Sequence, residues 1–215
     1  MDLKGKKIVF LGDSITYGVG ASAPEQCYVS LFKARYPETE FVNCGISATR
    51  YANQTGVPED DGVNMYRFTA RVEMLPEDAD LVVVFGGTND HAHGNAPLGK
   101  MGDRDDSTFY GAAYSLYRRL VERYPKGELL VLTPLHRIGE DCLNGQGAYL
   151  EDYVKAIRET AEIFSIPVLD LYAFGGINPN MGDQQATYMP DGIHPNDAGY
   201  ERVYRRIDAF IRNFY

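Results

Sequence analysis

Apolar, β-branched runs alternate along the chain with segments in which apolar residues recur every three or four positions. A strand buried in a parallel sheet needs a continuous apolar run, whereas a helix laid on that sheet needs a single apolar stripe. The runs predict strands over residues 7–11, 40–43, 81–85, 129–132 and 167–170. Between them, Tyr28, Leu31, Phe32 and Tyr36 recur at helical spacing, as do Met65, Phe68, Val72 and Leu75, and also Ala112, Leu116 and Leu120. Leu150, Tyr153, Val154, Ile157, Ala161 and Phe164 form a stripe that ends before Pro167. Tyr200, Val203, Tyr204, Ile207, Phe210 and Ile211 form another, and Asn196 stands where a side-chain oxygen would cap that last helix. Five strands alternating with five helices, with no repeat, low-complexity run or linker, predict one α/β domain over residues 1–215. Its architecture would be a three-layer α/β/α sandwich around a five-stranded parallel sheet.

Beyond the first three strands come Gly12-Asp13-Ser14-Ile15-Thr16, Asn43-Cys44-Gly45 and Gly86-Gly87-Thr88-Asn89-Asp90. A fourth motif, Asp191-Gly192-Ile193-His194-Pro195, closes the connection that leaves the last strand. In open parallel sheets the functional loops lie beyond the carboxyl ends of the strands, so all four motifs fall where a site would form. A serine hydroxyl is a weak nucleophile at neutral pH and needs a base within hydrogen-bond reach. Ser14 supplies the hydroxyl, His194 the base, and Asp191 a carboxylate to orient the imidazole. Attack on an ester carbonyl makes an oxyanion that needs two or three fixed donors. The N–H groups of Ser14 and Gly45 and the side-chain amide of Asn89 are the candidates.

At these residues the chain resembles the SGNH hydrolases, also called the GDSL esterase/lipase family. That family is named for a Ser, a Gly, an Asn and a His in order, here Ser14, Gly45, Asn89 and His194. The resemblance covers nearly the whole chain and implies the flavodoxin-like strand order 2-1-3-4-5. It also implies a triad of Ser14, Asp191 and His194, no cofactor, and an acyl-enzyme mechanism on small soluble esters. Short-chain acyl esters or O-acetylated carbohydrate fit that expectation, and a thioesterase or acyltransferase would use the same groups. The first motif reads GDSI rather than GDSL, a change of one aliphatic residue that concerns packing. No G-x-S-x-G surrounds Ser14, which tells against the α/β-hydrolase fold.

Each motif also has a plainer meaning. Ser14 could cap a helix, Gly45 and Gly87 could serve turns, Asn89 could cap a loop, and Asp191 could begin a turn before a helix. A non-catalytic carbohydrate- or anion-binding module would keep such loops, but it needs no base aligned with a hydroxyl.

The remaining residues change the picture less. Tyr17, Tyr51, Tyr188 and His136 flank the motif loops and are candidate substrate contacts. Asp13 and Asp90 are expected to tie motif backbones together. His91 and His93 beside Asp90 lack a third ligand at recognisable spacing, so no metal is expected. With 215 residues, 44% hydrophobic and 24% charged, the chain can bury a full core without metals or disulfides. A net charge of −9 argues against nucleic acid or an anionic membrane surface as partner. The longest apolar run, Leu81-Val82-Val83-Val84-Phe85, is far too short to cross a bilayer, and Met1-Asp2-Leu3-Lys4-Gly5-Lys6-Lys7 lacks the apolar core of a signal peptide. Cys27, Cys44 and Cys142 form no C-x-x-C, which suits a reducing compartment, and a cytoplasmic location is expected. Nothing in the sequence sets the oligomeric state.

Overall fold

The first strand shows how the layers arise. In β1 (Lys7–Gly12), Ile8 and Phe10 join the apolar cluster on one side of the sheet and Val9 and Leu11 the cluster on the other, with all four fully buried. The computed structural model describes residues 2–53, 66–93 and 96–215, and His93 by its backbone alone. β1 lies between β2 (Glu40–Gly45) and β3 (Leu81–Phe85), and β4 (Glu128–Leu132) and β5 (Val168–Leu169) continue the sheet beyond β3. All pairs are parallel and the order is β2-β1-β3-β4-β5, as the resemblance implies.

Helices cover both faces. In chain order they are α1 (Ser14–Tyr17), α2 (Tyr28–Arg35), α3 (Phe68–Arg71), α4 (Thr88–His93), α5 (Phe109–Arg123), α6 (Leu150–Ile163), α7 (Leu171–Phe174), α8 (Gln184–Tyr188) and α9 (Asp197–Phe214). Tyr28 and Phe32 of α2 and Tyr200, Val203 and Ile207 of α9 pack with Ile8, Phe10 and Val83. On the opposite face, Phe68 of α3, Leu116 of α5 and Tyr153 and Ile157 of α6 pack with Val9, Val82 and Val131. Phe10 meets Tyr28 edge-on at 5.4 Å and Phe32 at 5.6 Å between ring centroids. Burying a side chain of this kind contributes roughly 1.5–3 kcal/mol, which is why the apolar stripes decide where the helices dock.

The differences from the sequence reading have physical causes. β2 runs two residues further than its apolar run, because Cys44 and Gly45 still pair with Leu11 and Gly12. β5 is confined to Val168 and Leu169, since Asp170 turns its side chain to cap α7 through Ala173 N–H at 3.0 Å. The stripe of Phe68, Val72 and Leu75 is α-helical only to Arg71, tightens to a 3₁₀ turn over Val72–Met74, and stops at Leu75 in the extended conformation required before Pro76. Met65 of that stripe lies outside the described residues. Asn196 caps α9 as expected, its side-chain oxygen accepting from Gly199 N–H at 3.0 Å. Among the described residues no helix is long and apolar enough to cross a membrane.

The register places the site. Gly12 sits opposite Gly45 on one side and Phe85 on the other, so the motifs after β1, β2 and β3 leave the sheet from one line across its carboxyl edge.

Candidate active site

Ser14 opens α1 directly after β1. Asp13 caps that single turn, its carboxylate accepting from Ile15 N–H at 2.9 Å, and leaves the Ser14 side chain at the helix start with 7% of the residue exposed. The turn is held from below and behind. Asn43 donates its amide to Thr16 O at 2.8 Å, and Tyr200 of α9 donates its hydroxyl to Val19 O at 2.6 Å.

The opposite wall comes from one short stretch. Gly192, at φ +79°, lets the chain double back so that Asp191 Oδ1 accepts from the N–H groups of Ile193 at 2.8 Å and His194 at 2.7 Å. The other oxygen, Oδ2, meets His194 Nδ1 at 2.6 Å, and His194 Nε2 meets Ser14 Oγ at 2.9 Å. Burial pushes the Asp191 carboxyl up, but its bonds from His194 and Ile193 outweigh that and hold it below the usual carboxylate range. An ionised carboxylate only accepts, so Nδ1 carries the imidazole proton and Nε2 is left as acceptor for the serine hydroxyl. Ser22 binds Asp197 with both its N–H and its hydroxyl, at 2.8 and 2.6 Å, tying the segment after α1 to the start of α9.

A cavity of about 260 Å³ opens here, lined by Ser14, Val19, Ser47, Ala48, Asn89, Arg137, Ile193 and His194. Asn89, on the first turn of α4, spends one amide proton on Thr49 O at 3.1 Å, and the other meets no acceptor among the described residues. Gly45 is not on this wall. Its N–H donates to Asn43 Oδ1 at 2.9 Å, and a Cβ on it would lie 2.2 Å from Tyr17 N, so the glycine serves the close packing of β2 on α1. The lining residues from that loop are Ser47 and Ala48, and Ala48 holds φ +65°, a left-handed conformation uncommon for a residue with a Cβ. The Ala48 N–H meets no protein acceptor among the described residues.

Arg71, which the sequence reading passed over, lies beneath these loops and is 3% exposed. Its Nη1 donates to Gly12 O and to Thr49 Oγ1, both at 3.2 Å, and its Nη2 donates to Cys44 O. Burial pulls its pKa down to about 10, so the guanidinium stays charged at neutral pH under the ends of β1 and β2. Asp13 and Asp90 bind backbone as expected. Asp90 accepts from Tyr51 N–H at 3.0 Å and Ala52 N–H at 2.9 Å. Burial raises Asp90 to about 7, and it raises Asp13 to about 6 against the Ile15 bond and the charges of His194 and Arg71.

None of the four aromatic or histidine substrate candidates is on the wall of this cavity. Tyr17 is 64% exposed, and Tyr51 is fully buried with its hydroxyl 3.2 Å from that of Tyr117. Tyr188 takes a bond from Arg202 at 2.5 Å, and His136 pairs with Glu140 at 2.8 Å and packs at a tilt against the Tyr172 ring. The residue next to His136, Arg137, lines the cavity instead. His91 is buried with Nε2 on Cys142 O at 3.2 Å, and the His93 side chain lies outside the described residues. Among the described residues no group of three or more His, Cys, Asp or Glu is placed to hold a metal.

The model of the GDSL-like Lipase/Acylhydrolase family matches residues 10–202. A GDSL lipase of Mycobacterium tuberculosis is 29% identical over 157 residues, which make up 73% of this chain and 59% of that protein, so the chain spans less than two thirds of that relative's length. A protein of known structure from Lactobacillus plantarum is 30% identical, with 99% of each chain covered and a TM-score of 0.86. A carbohydrate acetylesterase from Sinorhizobium meliloti shares the fold at 18% identity, with 98% of this chain and 100% of that one covered and a TM-score of 0.66.

Proposed function

Because the chain belongs to the GDSL-like lipase/acylhydrolase family of carboxylic ester hydrolases, we propose that it hydrolyses small soluble esters through an acyl-enzyme on Ser14. Short-chain acyl esters and O-acetylated carbohydrate are the substrates we assign. The observation that carries this reading is the unbroken chain of hydrogen bonds from Ser14 Oγ through the His194 imidazole to Asp191, at 2.9 and 2.6 Å, on the wall of a 260 Å³ cavity. The small volume and the short apolar side chains of Val19, Ala48 and Ile193 fit a compact acyl group better than a long chain.

In the proposed reaction His194 Nε2 takes the hydroxyl proton as Ser14 Oγ attacks the carbonyl carbon. Asp191 holds the resulting imidazolium, which then gives that proton to the departing alcohol. Water enters, loses a proton to Nε2 and attacks the acyl carbon, and as the acyl–Oγ bond breaks the imidazolium returns that proton to Ser14 Oγ, releasing the acid. The oxyanion rests on Ser14 N–H, the free amide proton of Asn89, and Ala48 N–H in the place first given to Gly45. Gly45 is set aside because its N–H is already bonded to Asn43, whereas Ala48 lines the cavity with an unused donor.

The test pairs acetate release from phenyl acetate and acetylated xylan with labelling by a fluorophosphonate. Turnover with a label on Ser14, both lost in Ser14→Ala, is expected. Ester turnover that survives in folded Ser14→Ala would sink the assignment.

A further inference from the structure

Among the described residues the cavity beside Ser14 carries one permanently charged side chain, Arg137, and no carboxylate holds it. Arg137 donates from Nε to Ile138 O at 3.3 Å and from Nη1 to Thr88 Oγ1 at 3.2 Å and Thr88 O at 3.4 Å, all long bonds to neutral oxygens. Its Nη2 donates to no acceptor among the described residues. Arg119, Arg123, Arg158 and Arg212, by contrast, each reach a carboxylate.

The two carboxylates nearest in effect are already spent. Asp191 accepts from Ile193, His194 N–H and His194 Nδ1. Glu140 accepts from His136 on both oxygens, from the Arg137 N–H and from Asn180. Burial of the guanidinium outweighs the pull of Asp191 and Glu140 and lowers its pKa, as expected for a desolvated cation that lacks a close counter-ion. Arg137 is only partly buried, so its free Nη2 can reach a bound anion, and the fork of an arginine matches the two oxygens of a carboxylate. In a chain of net charge −9, an anionic ester would be repelled unless a cation stood at the site itself.

We infer that this cavity selects esters that carry a carboxylate close to the scissile bond, and that Arg137 binds it. The inference rests on the ester-hydrolase reading of the same site. The carboxylate can belong to the alcohol or to the acyl group, and matched substrates separate the two. Acetylsalicylate against phenyl acetate places it on the alcohol side. Phenyl hemisuccinate against phenyl butyrate places it on the acyl side.

In wild-type protein one anionic ester of these pairs should exceed its neutral partner in kcat/KM by roughly 10- to 100-fold, the range of one hydrogen bond to a charged group. Arg137→Gln should bring that ratio toward one, and Arg137→Lys should keep part of it. Arg118→Gln, which removes the same charge from the exposed side of α5, should leave the ratio as it was. Equal rates on both pairs in the wild type, or an equal loss on both members of a pair in folded Arg137→Gln, would overturn the inference. A second readout does not need turnover: calorimetric titration of Ser14→Ala with benzoate and benzamide should show the carboxylate bound in preference, and Arg137→Gln in that background should abolish the preference. Preferred benzoate binding without turnover of any ester would sink the hydrolase reading and keep the Arg137 site. Turnover of neutral esters with no carboxylate preference in either experiment would do the reverse.

Discussion

The two walls of the cavity are built in opposite ways. On one, Asp191, Gly192, Ile193 and His194 complete the carboxylate and imidazole within four consecutive residues, and the bonds between that carboxylate and the imidazole and its backbone are local. On the other, Ser14, Ala48 and Asn89 arrive from the ends of three different strands. The first two of those ends are held by one buried side chain, Arg71, from a fourth segment. A local wall needs only the right short sequence, whereas an assembled wall depends on the register of the sheet and on whatever clamps the loops above it. Losses on the first wall should therefore be chemical, and losses on the second should be shared between chemistry and stability.

Breaking the hydrogen-bonded pair that joins the two walls should have the largest effect. His194→Ala and Ser14→Ala should each lower kcat by roughly 10⁴- to 10⁶-fold, since groups that act as a unit fail together, and the double variant should be little worse than either. Melting temperatures should barely change, because His194 bonds to Asp191 at a half-exposed site. Additive losses in the double variant would mean the two residues do not work as a pair.

On the assembled wall, Asn89→Ala removes the donor proposed to meet charge that develops only in the transition state. It should lower kcat by roughly 10²- to 10³-fold, about 2.7–4 kcal/mol, with little change in KM. A rise in KM with kcat spared would make Asn89 a ground-state contact. Arg71→Met tests the clamp beneath. Three acceptors, Gly12 O, Thr49 Oγ1 and Cys44 O, lose a charged donor, so stability should drop by about 2 kcal/mol or more and kcat should fall with it. Arg71→Lys should recover stability only in part, since one ammonium cannot span acceptors on both strand ends. Full recovery of stability and kcat in Arg71→Lys would show that charge alone matters there.

The same contrast explains what the sequence disclosed. The strands and the longer helices were legible because their apolar residues recur with the period of the element, as in Val9 and Leu11 of β1 or Val203 and Ile207 of α9. The one-turn helices α1, α4 and α7 were not, because four to six residues are too few to display a helical period. The carboxylate and imidazole were legible as neighbours in one motif. The β2-loop donor we propose was not legible, because a glycine is the usual sign of a special backbone, and here Ala48 takes the left-handed conformation while the Gly45 N–H is bonded to Asn43 and the glycine packs closely on α1. Arg71 and Arg137 carry no local signature at all. One gains its role from the loops it underlies, the other from the cavity it lines.

The walls should also differ in their response to pH. Asp191 is held below the ordinary carboxylate range, so the stability it contributes is present above about pH 4 and is lost as pH falls through its lowered pKa. Asp90, raised to about 7 by burial, has the opposite sign. Between about pH 4 and 7 the unfolded chain has given up a proton that the folded chain retains, so stability falls as pH rises, by at most about 1.4 kcal/mol per pH unit. Asp13, raised to about 6, adds the same sign over a narrower window. Urea unfolding at several pH values should show that slope in the wild type and a flatter one in Asp90→Asn. Parallel slopes in the two proteins would mean that Asp90 stays ionised throughout, its two backbone N–H bonds outweighing its burial.

The smallest expected effect separates the two candidates for the β2-loop donor. A left-handed conformation costs a residue with a Cβ about 1–2 kcal/mol, and part of that is returned when glycine replaces it, because glycine loses more freedom on folding. Ala48→Gly should therefore raise stability by about 0.5–1 kcal/mol, and because the N–H is retained, kcat should change far less than in Asn89→Ala. Gly45→Ala places a Cβ 2.2 Å from Tyr17 N and should destabilise the packing of β2 on α1. If Ala48→Gly destabilises the protein, the left-handed geometry at Ala48 is not the native one, and the case for its N–H as an oxyanion donor falls with it.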